Sequence, residues 1–276
     1  MSYILLAWLF CLYAIQGIPY GIQSRFLPVY LRSQSFSLTV LGLMKLLYIP
    51  WILKTFYAPI VDIFYTKITW LKLSVFLLFL TSIFFSLINC NSTILLTIGL
   101  FCFNLFSATQ DISLDGIMIA HLSNSELTLG NIAQVVGYKF GAIIGGGFLI
   151  IMASYFNWNV IFIFVSCIYF MGFLSIFSLK KIIISRPMDN IKTTFNFSFL
   201  SYCELFCTCF KTLGTRNICI FVLIYKLGEQ GAMNLFPLFL YDKGRNLKEI
   251  GFWTGIIGQL ISICGSSVAV MLIQSK

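Results

Sequence analysis

An all-α integral membrane fold with about eight spans is the expectation, and three observations carry it. Hydrophobic residues make up 59% of the 276 positions and charged residues only 10%, where soluble domains carry about 25% charged residues. Mean hydropathy is +0.94, so the chain lacks the polar surface that a water-soluble fold of this size needs, and its solvent is lipid. Eight apolar runs approach or exceed the ~20 residues with which a helix crosses the hydrocarbon core.

In order, the runs are Tyr3–Leu31, Val40–Phe64, Leu71–Ile88, Ile94–His121, Asn131–Tyr155, Val160–Leu179, Asn217–Leu240 and Ile250–Ile273. The first lacks a basic n-region and is too long for a cleavable signal, so it reads as a first transmembrane helix. Most connections are short. The exception runs from Lys180 to Arg216 and holds Lys180, Lys181, Arg186, Lys192, Lys211 and Arg216, which the positive-inside rule places in the cytoplasm. Counting back six helices puts the N-terminus there too. Arg32 runs against the rule as a single charge. In the same loop Phe195, Phe197, Phe199, Leu200, Leu205, Phe206 and Phe210 lie among polar residues, a pattern for a segment on the membrane surface. Asn91-Ser92-Thr93 is a glycosylation sequon on an outer turn.

The net charge of +9 reads chiefly as topology-setting charge, because the basic residues sit at the ends of apolar runs rather than on one soluble face. The few inside helices are the candidates for an anionic solute. Nine cysteines are scattered through apolar segments, and Cys203, Cys207 and Cys209 cluster without a histidine, the one histidine being His121. That spacing matches no zinc site. The thiols read as packing residues, with reversible acylation as the alternative, and neither metal nor cofactor is expected.

An internal repeat follows from the ends of the first and seventh runs. At an offset of 209 residues Pro28 meets Pro237, Leu31 meets Leu240, Leu38 meets Leu247 and Gly42 meets Gly251, with no gap. Duplicated halves are a signature of secondary transporters, whose solute site lies near the midplane between them. The expected organisation is a six-helix N-terminal half over 1–179, a cytoplasmic linker over 180–216, and the first two helices of an incomplete second half over 217–276. A duplicated whole would hold twelve helices in about 400 residues.

Ionisable residues inside a span cost roughly 2.5–3.5 kcal/mol each on insertion scales and so face a cavity or a partner. In the first run Tyr13, Gln16, Tyr20 and Gln23 share one helix face, and Pro19, within Gly17-Ile18-Pro19-Tyr20-Gly21, bends the helix there. That stripe lines a pathway or bonds to a neighbouring helix. In the fourth run Asn104, Ser107, Asp111 and Asp115 share a face. Two carboxylates one turn apart do not both ionise comfortably in low dielectric, so one holds a proton or each pairs with a lysine; proton coupling and a structural pair are the two readings. Lys45 and Lys54 lie in the second run with Pro50 and Pro59, and Arg25 lies near the end of the first. Anion binding is one reading of these cations, and snorkelling of Arg25 and Lys54 to the interface is the other. Lys139 and the group Lys226, Glu229 and Gln230 are further candidates, Lys226 and Glu229 being spaced for a local ion pair. Gly137, Gly141 and Gly145 form a small-residue ridge for close helix packing. No phosphate loop, triad or metal motif occurs, so an enzyme is not expected.

Tyr48-Ile49-Pro50-Trp51-Ile52-Leu53-Lys54 followed by Ala58-Pro59-Ile60-Val61-Asp62 resembles the second-helix signature of the acetyl-coenzyme A transporter branch of the major facilitator superfamily. Gln110-Asp111-Ile112-Ser113-Leu114-Asp115-Gly116 resembles that branch's fourth-helix motif, and Gln16-Gly17-Ile18-Pro19-Tyr20-Gly21 and Gln134-Val135-Val136-Gly137-Tyr138-Lys139 extend the likeness. Together they look closest to the animal group called major facilitator superfamily domain-containing protein 3, and more distantly to bacterial muropeptide permeases. The resemblance implies two six-helix halves, alternating access and a proton-coupled carrier of acetyl-coenzyme A or another large anion. Of the superfamily's usual loop after the second helix only Asp62 and the basic Lys67 remain.

The expected function is therefore a secondary carrier in which Arg25, Lys45 and Lys54 attract an anion, Gln16 and Tyr20 orient it, and Asp62, Asp111, Asp115 and Glu229 couple or gate. Its partners are the solute and the bilayer, with no nucleic acid. The alternative is a non-transporting form that binds and restrains a full-length homologue.

Overall fold

The computed structural model describes residues 2–90, 92–184, 208, 211–212 and 214–265, and every regular element among them is helical. Among the described residues seven helices are long and apolar enough to cross a membrane: α1 (Ile4–Ser33), α2 (Leu38–Ile63), α3 (Lys67–Leu87), α4 (Thr93–His121), α5 (Glu126–Met152), α6 (Trp158–Ser178) and α7 (Thr215–Asp242). An eighth, α8, begins as Leu247–Ile250, passes into Gly251–Ile257 and is followed to residue 265. The chain is an all-α, multi-pass membrane protein. The end of the eighth expected span, Asn91 of the sequon, the Cys203, Cys207 and Cys209 cluster and the Phe-rich stretch lie outside the described residues.

Capping moves several boundaries away from the apolar runs. The Thr66 hydroxyl accepts from the Thr69 amide and starts α3 before Leu71. A capping box between Ser123 and Glu126 starts the helix of α5 well before Asn131. The helix of α6 continues to Ile184, so the connection expected to begin at Lys180 begins later. In α1 the irregularity does not lie at Gly17–Gly21. Pro19 sits within regular helix, and the distortion is a π turn over Ile22–Phe26, one turn ahead of Pro28, whose missing N–H breaks the ladder. In α2 a 3-10 stretch over Met44–Tyr48 leads into Pro50.

The two helix ends that carry the matched residues close with the same backbone hydrogen-bond pattern. After α1, Gln34, Ser35 and Phe36 donate to the carbonyls of Tyr30, Arg32 and Leu31; after α7, Lys243, Gly244 and Arg245 donate to those of Phe239, Tyr241 and Leu240. Every pair is displaced by the offset that separates Pro28 from Pro237. Ser35 and Gly244 take the left-handed φ values, 68° and 80°, that terminate a helix this way. Ser37 and Asn246 then cap the next helices.

α1 and α5 run parallel in close contact. A Cβ placed on Gly137 would lie 2.7 Å from the Phe10 carbonyl oxygen, and one on Gly21 would lie 2.6 Å from that of Ala142. The ridge thus brings two backbones together, as small residues do in lipid. Aromatic packing of Phe26, Phe85, Phe162 and Trp158 ties α1, α3 and α6 together, with ring centroids 4.4–6.3 Å apart, and the Trp158 indole donates to the Phe85 carbonyl at 2.7 Å.

α7 and α8 meet this group near the Ser33 end of α1. Arg32 and Asp242 form a two-pronged ion pair at 2.9 and 3.2 Å, joining the two equivalent loops. The π turns Ile143–Phe148 of α5 and Gly251–Ile257 of α8 touch backbone to backbone, and a Cβ on Gly251 would lie 2.8 Å from the Gly147 carbonyl oxygen. Further from that end α7 shows Ile218, Phe221 and Ile224 as exposed apolar side chains.

Candidate functional site

Four helices present polar side chains to one cleft. The i, i+3, i+7 spacing of Asn104, Ser107 and Asp111 turns all three inward from α4, where they are buried. Asp111 receives a hydrogen bond from the Gln16 amide on one oxygen and the Lys54 ammonium on the other. Its carboxylate is 9% exposed against 37% for the Lys54 side chain, so the pair is buried at its acid end and wet at its basic end. Lys54 also lies over the Trp51 ring, 5.4 Å from its centroid, within cation–π range. The Trp51 indole donates to the Asn104 oxygen at 3.0 Å, and Asn104 and Gln23 exchange hydrogen bonds at 2.9 and 3.0 Å.

The cleft has a volume of about 300 Å³ and is lined by Gln16, Trp51, Asp111, Gln134, Tyr138 and Lys139, with Val135. Tyr20 reaches it through its ring contact with Tyr138, centroids 5.5 Å apart. Lys139 donates to the Ser262 carbonyl of α8 at 2.7 Å. Asp115, one turn beyond Asp111, accepts on Oδ1 from the Tyr13 hydroxyl at 2.8 Å and from the Gln134 amide at 2.9 Å. Buried polar atoms are ordinarily paired, yet among the described residues the Gln16 Oε1 atom has no partner, and its side chain lines the cleft.

Sequence-predicted residues thus fall into separate places. Gln16 and Asp111 line the cleft, and Lys54, Asp115 and Tyr20 contact its lining residues Asp111, Gln134 and Tyr138. Arg25 is apart, at the α8 contact: it donates to the Gly255 carbonyl at 3.4 Å, and the Gln259 amide, turned with its oxygen inward, accepts from it at 2.9 and 3.0 Å. Lys45 lines a small separate pocket with Gln23, Tyr48 and Leu31. Asp62 pairs with Lys67 at the foot of α3. Glu229 makes the local pair with Lys226, at 2.8 Å, on the exposed part of α7. Trp51, Gln134 and Tyr138 line the cleft in addition to the residues expected from the sequence. Gln134 and Tyr138 are four apart beside Gly137 and Gly141, and that spacing was the signal available for them.

The comparisons point the same way. The family model described as Acetyl-coenzyme A transporter 1 matches residues 5–92. A Haemophilus influenzae relative named only as an uncharacterized protein is 27% identical over 261 residues, covering 88% of this chain and 60% of the relative. A Rickettsia prowazekii protein described as "Putative transporter AmpG 3" is 24% identical over 275 residues, 94% of this chain and 65% of the relative. Rickettsia bellii "Putative transporter AmpG 1" is 24% identical, with 92% and 65% covered. These likenesses support a membrane transporter of the major facilitator kind. The chain spans 60% to 65% of the length of these relatives.

Proposed function

We propose that the chain serves secondary transport of an anionic organic solute, acetyl-coenzyme A first, by alternating access with proton coupling. The observation that carries this reading is the cleft itself: a lysine-bearing cavity lined largely by polar side chains among α1, α2, α4 and α5 in a bundle whose outer faces are apolar. Lys54 and Lys139 supply the attraction, and Gln16 and Tyr20 orient the anionic group. Arg25 acts at the contact between the duplicated units rather than in the cleft. Contacts of α1 with α7 and of α5 with α8 close the Ser33 end, and in an alternating-access cycle that closure belongs to the state that opens at the other end. With the N-terminus in the cytoplasm, that state faces inward.

Equilibrium binding of acetyl-coenzyme A to the purified, reconstituted protein tests this reading. Hydrogen bonds to charged groups are worth about 1.5–3 kcal/mol, so Lys139→Gln weakens binding by about tenfold or more. Equal affinity of wild type and variant removes Lys139 from the site, and no binding by folded wild type removes acetyl-coenzyme A.

A further inference from the structure

We infer that Asp115, and not Asp111, is the carboxylate of the cleft that takes up the transported proton. The inference deepens the carrier reading and rests on it for its role, though not for its test.

The two acids are one turn apart on α4 but differ in their partners. Asp111 is compensated: Lys54 sits on one oxygen and the Gln16 amide on the other. Protonating it would break an ion pair whose acid end is buried. The hydrogen bonds to Asp115 come from neutral groups, the Tyr13 hydroxyl and the Gln134 amide, and both converge on Oδ1. Among the described residues no hydrogen bond reaches Oδ2. A proton arriving there meets a bare acceptor, and both existing hydrogen bonds to Oδ1 survive its arrival.

The surroundings of Asp115 fit the same assignment. From α1 it faces Tyr13, and from α5 Gln134, with Tyr138 one turn further on. From its own helix it faces Asp111, one turn away. Lys54 of α2 is the neighbouring cation and is bonded to Asp111. Lys67 of α3 lies against Gly116 and pairs with Asp62. Gln134 both lines the cleft and holds Asp115, so it connects the proton site to the solute site.

The charge balance gives the coupling its sign. With both acids ionised, Lys54 and Lys139 are matched by Asp111 and Asp115. One proton added at Asp115 Oδ2 forms an O–H bond, neutralises that carboxylate and leaves the cleft with one net positive charge. An anion then enters a site of opposite sign, and both ligands leave together where the proton is released. The device is a symporter of proton and anion.

Infrared difference spectra of the reconstituted chain, without solute and titrated through neutral pH, read this directly. The expected result is a protonated-carboxyl band that is lost in Asp115→Asn and kept in Asp111→Asn. In Gln134→Leu the band shifts, because a hydrogen bond to Oδ1 has gone. A band that survives Asp115→Asn, a band lost in Asp111→Asn protein that folds, an unmoved band in Gln134→Leu, or no such band in wild type would each overturn the assignment. Solute counterflow separates this from the carrier reading: its absence both from this chain and from a version extended to the length of its curated relatives would end the carrier reading and leave the infrared result standing.

Discussion

Lys54→Ala destabilises the folded protein far more than Asp111→Ala does, and the double variant recovers most of the loss. The asymmetry follows from burial. The Asp111 side chain is 9% exposed and the Lys54 side chain 37%, so removing the lysine strands an anion in the bundle, while removing the acid leaves a cation whose flexible stem reaches water. Breaking a buried pair by removing one partner costs about 3–5 kcal/mol, and replacing both partners together costs much less. Partial exposure of Lys54 puts the expected loss near the lower end, about 3 kcal/mol. Denaturation of the three variants and wild type in one detergent measures it. Equal losses for the two single variants, or additive losses in the double, would mean that the pair is not coupled as its geometry requires.

Gly255→Val separates α8 from α5 at the Ser33 end. A Cβ at Gly255 would fall against the backbone of Gly147, and backbone cannot swing aside as a side chain does. Overpacking of a tight contact costs about 1–3 kcal/mol, and 1.4 kcal/mol is a tenfold change in a population. The state closed at this end should therefore lose about tenfold in population or more. Spin labels at Gln34 and Lys243, the equivalent positions of the two loops, report it as a longer distance. Gly42→Ala, where an added Cβ meets nothing within 4 Å among the described residues, is the control and leaves the distance distribution unchanged. A Gly255→Val protein with the wild-type distance would show that the glycine contact does not hold the end closed.

How much of this was legible in the sequence differs between features for physical reasons. Spans declare themselves because lipid demands long apolar runs, so the expected segments and the seven spanning helices coincide to within a few residues. The polar faces of α1 and α4 were legible because helix periodicity puts Tyr13, Gln16 and Gln23, and Asn104, Asp111 and Asp115, on single faces. Four matched residues pointed to two equivalent loops, and the hydrogen bonds of those loops carry the same offset. Partnership across the bundle was not legible. Nothing local tells that Lys54 finds Asp111, 57 positions on, or that Arg25 meets Gln259, because those pairings depend on which helices pack. Helix ends were displaced by capping residues that hydropathy ignores, as at Thr66 and Ser123. The π turns of α1, α5 and α8 have no hydropathy signal at all.

The measurement that bears most directly on the carrier reading is uptake of labelled acetyl-coenzyme A into proteoliposomes with and without an inward proton gradient. It should be made on this chain and on a version extended to the length of its curated relatives. Gradient-stimulated uptake by at least the extended form, abolished by Lys54→Ala, is the predicted result. Absence of uptake by either form, with folding confirmed, would contradict acetyl-coenzyme A transport.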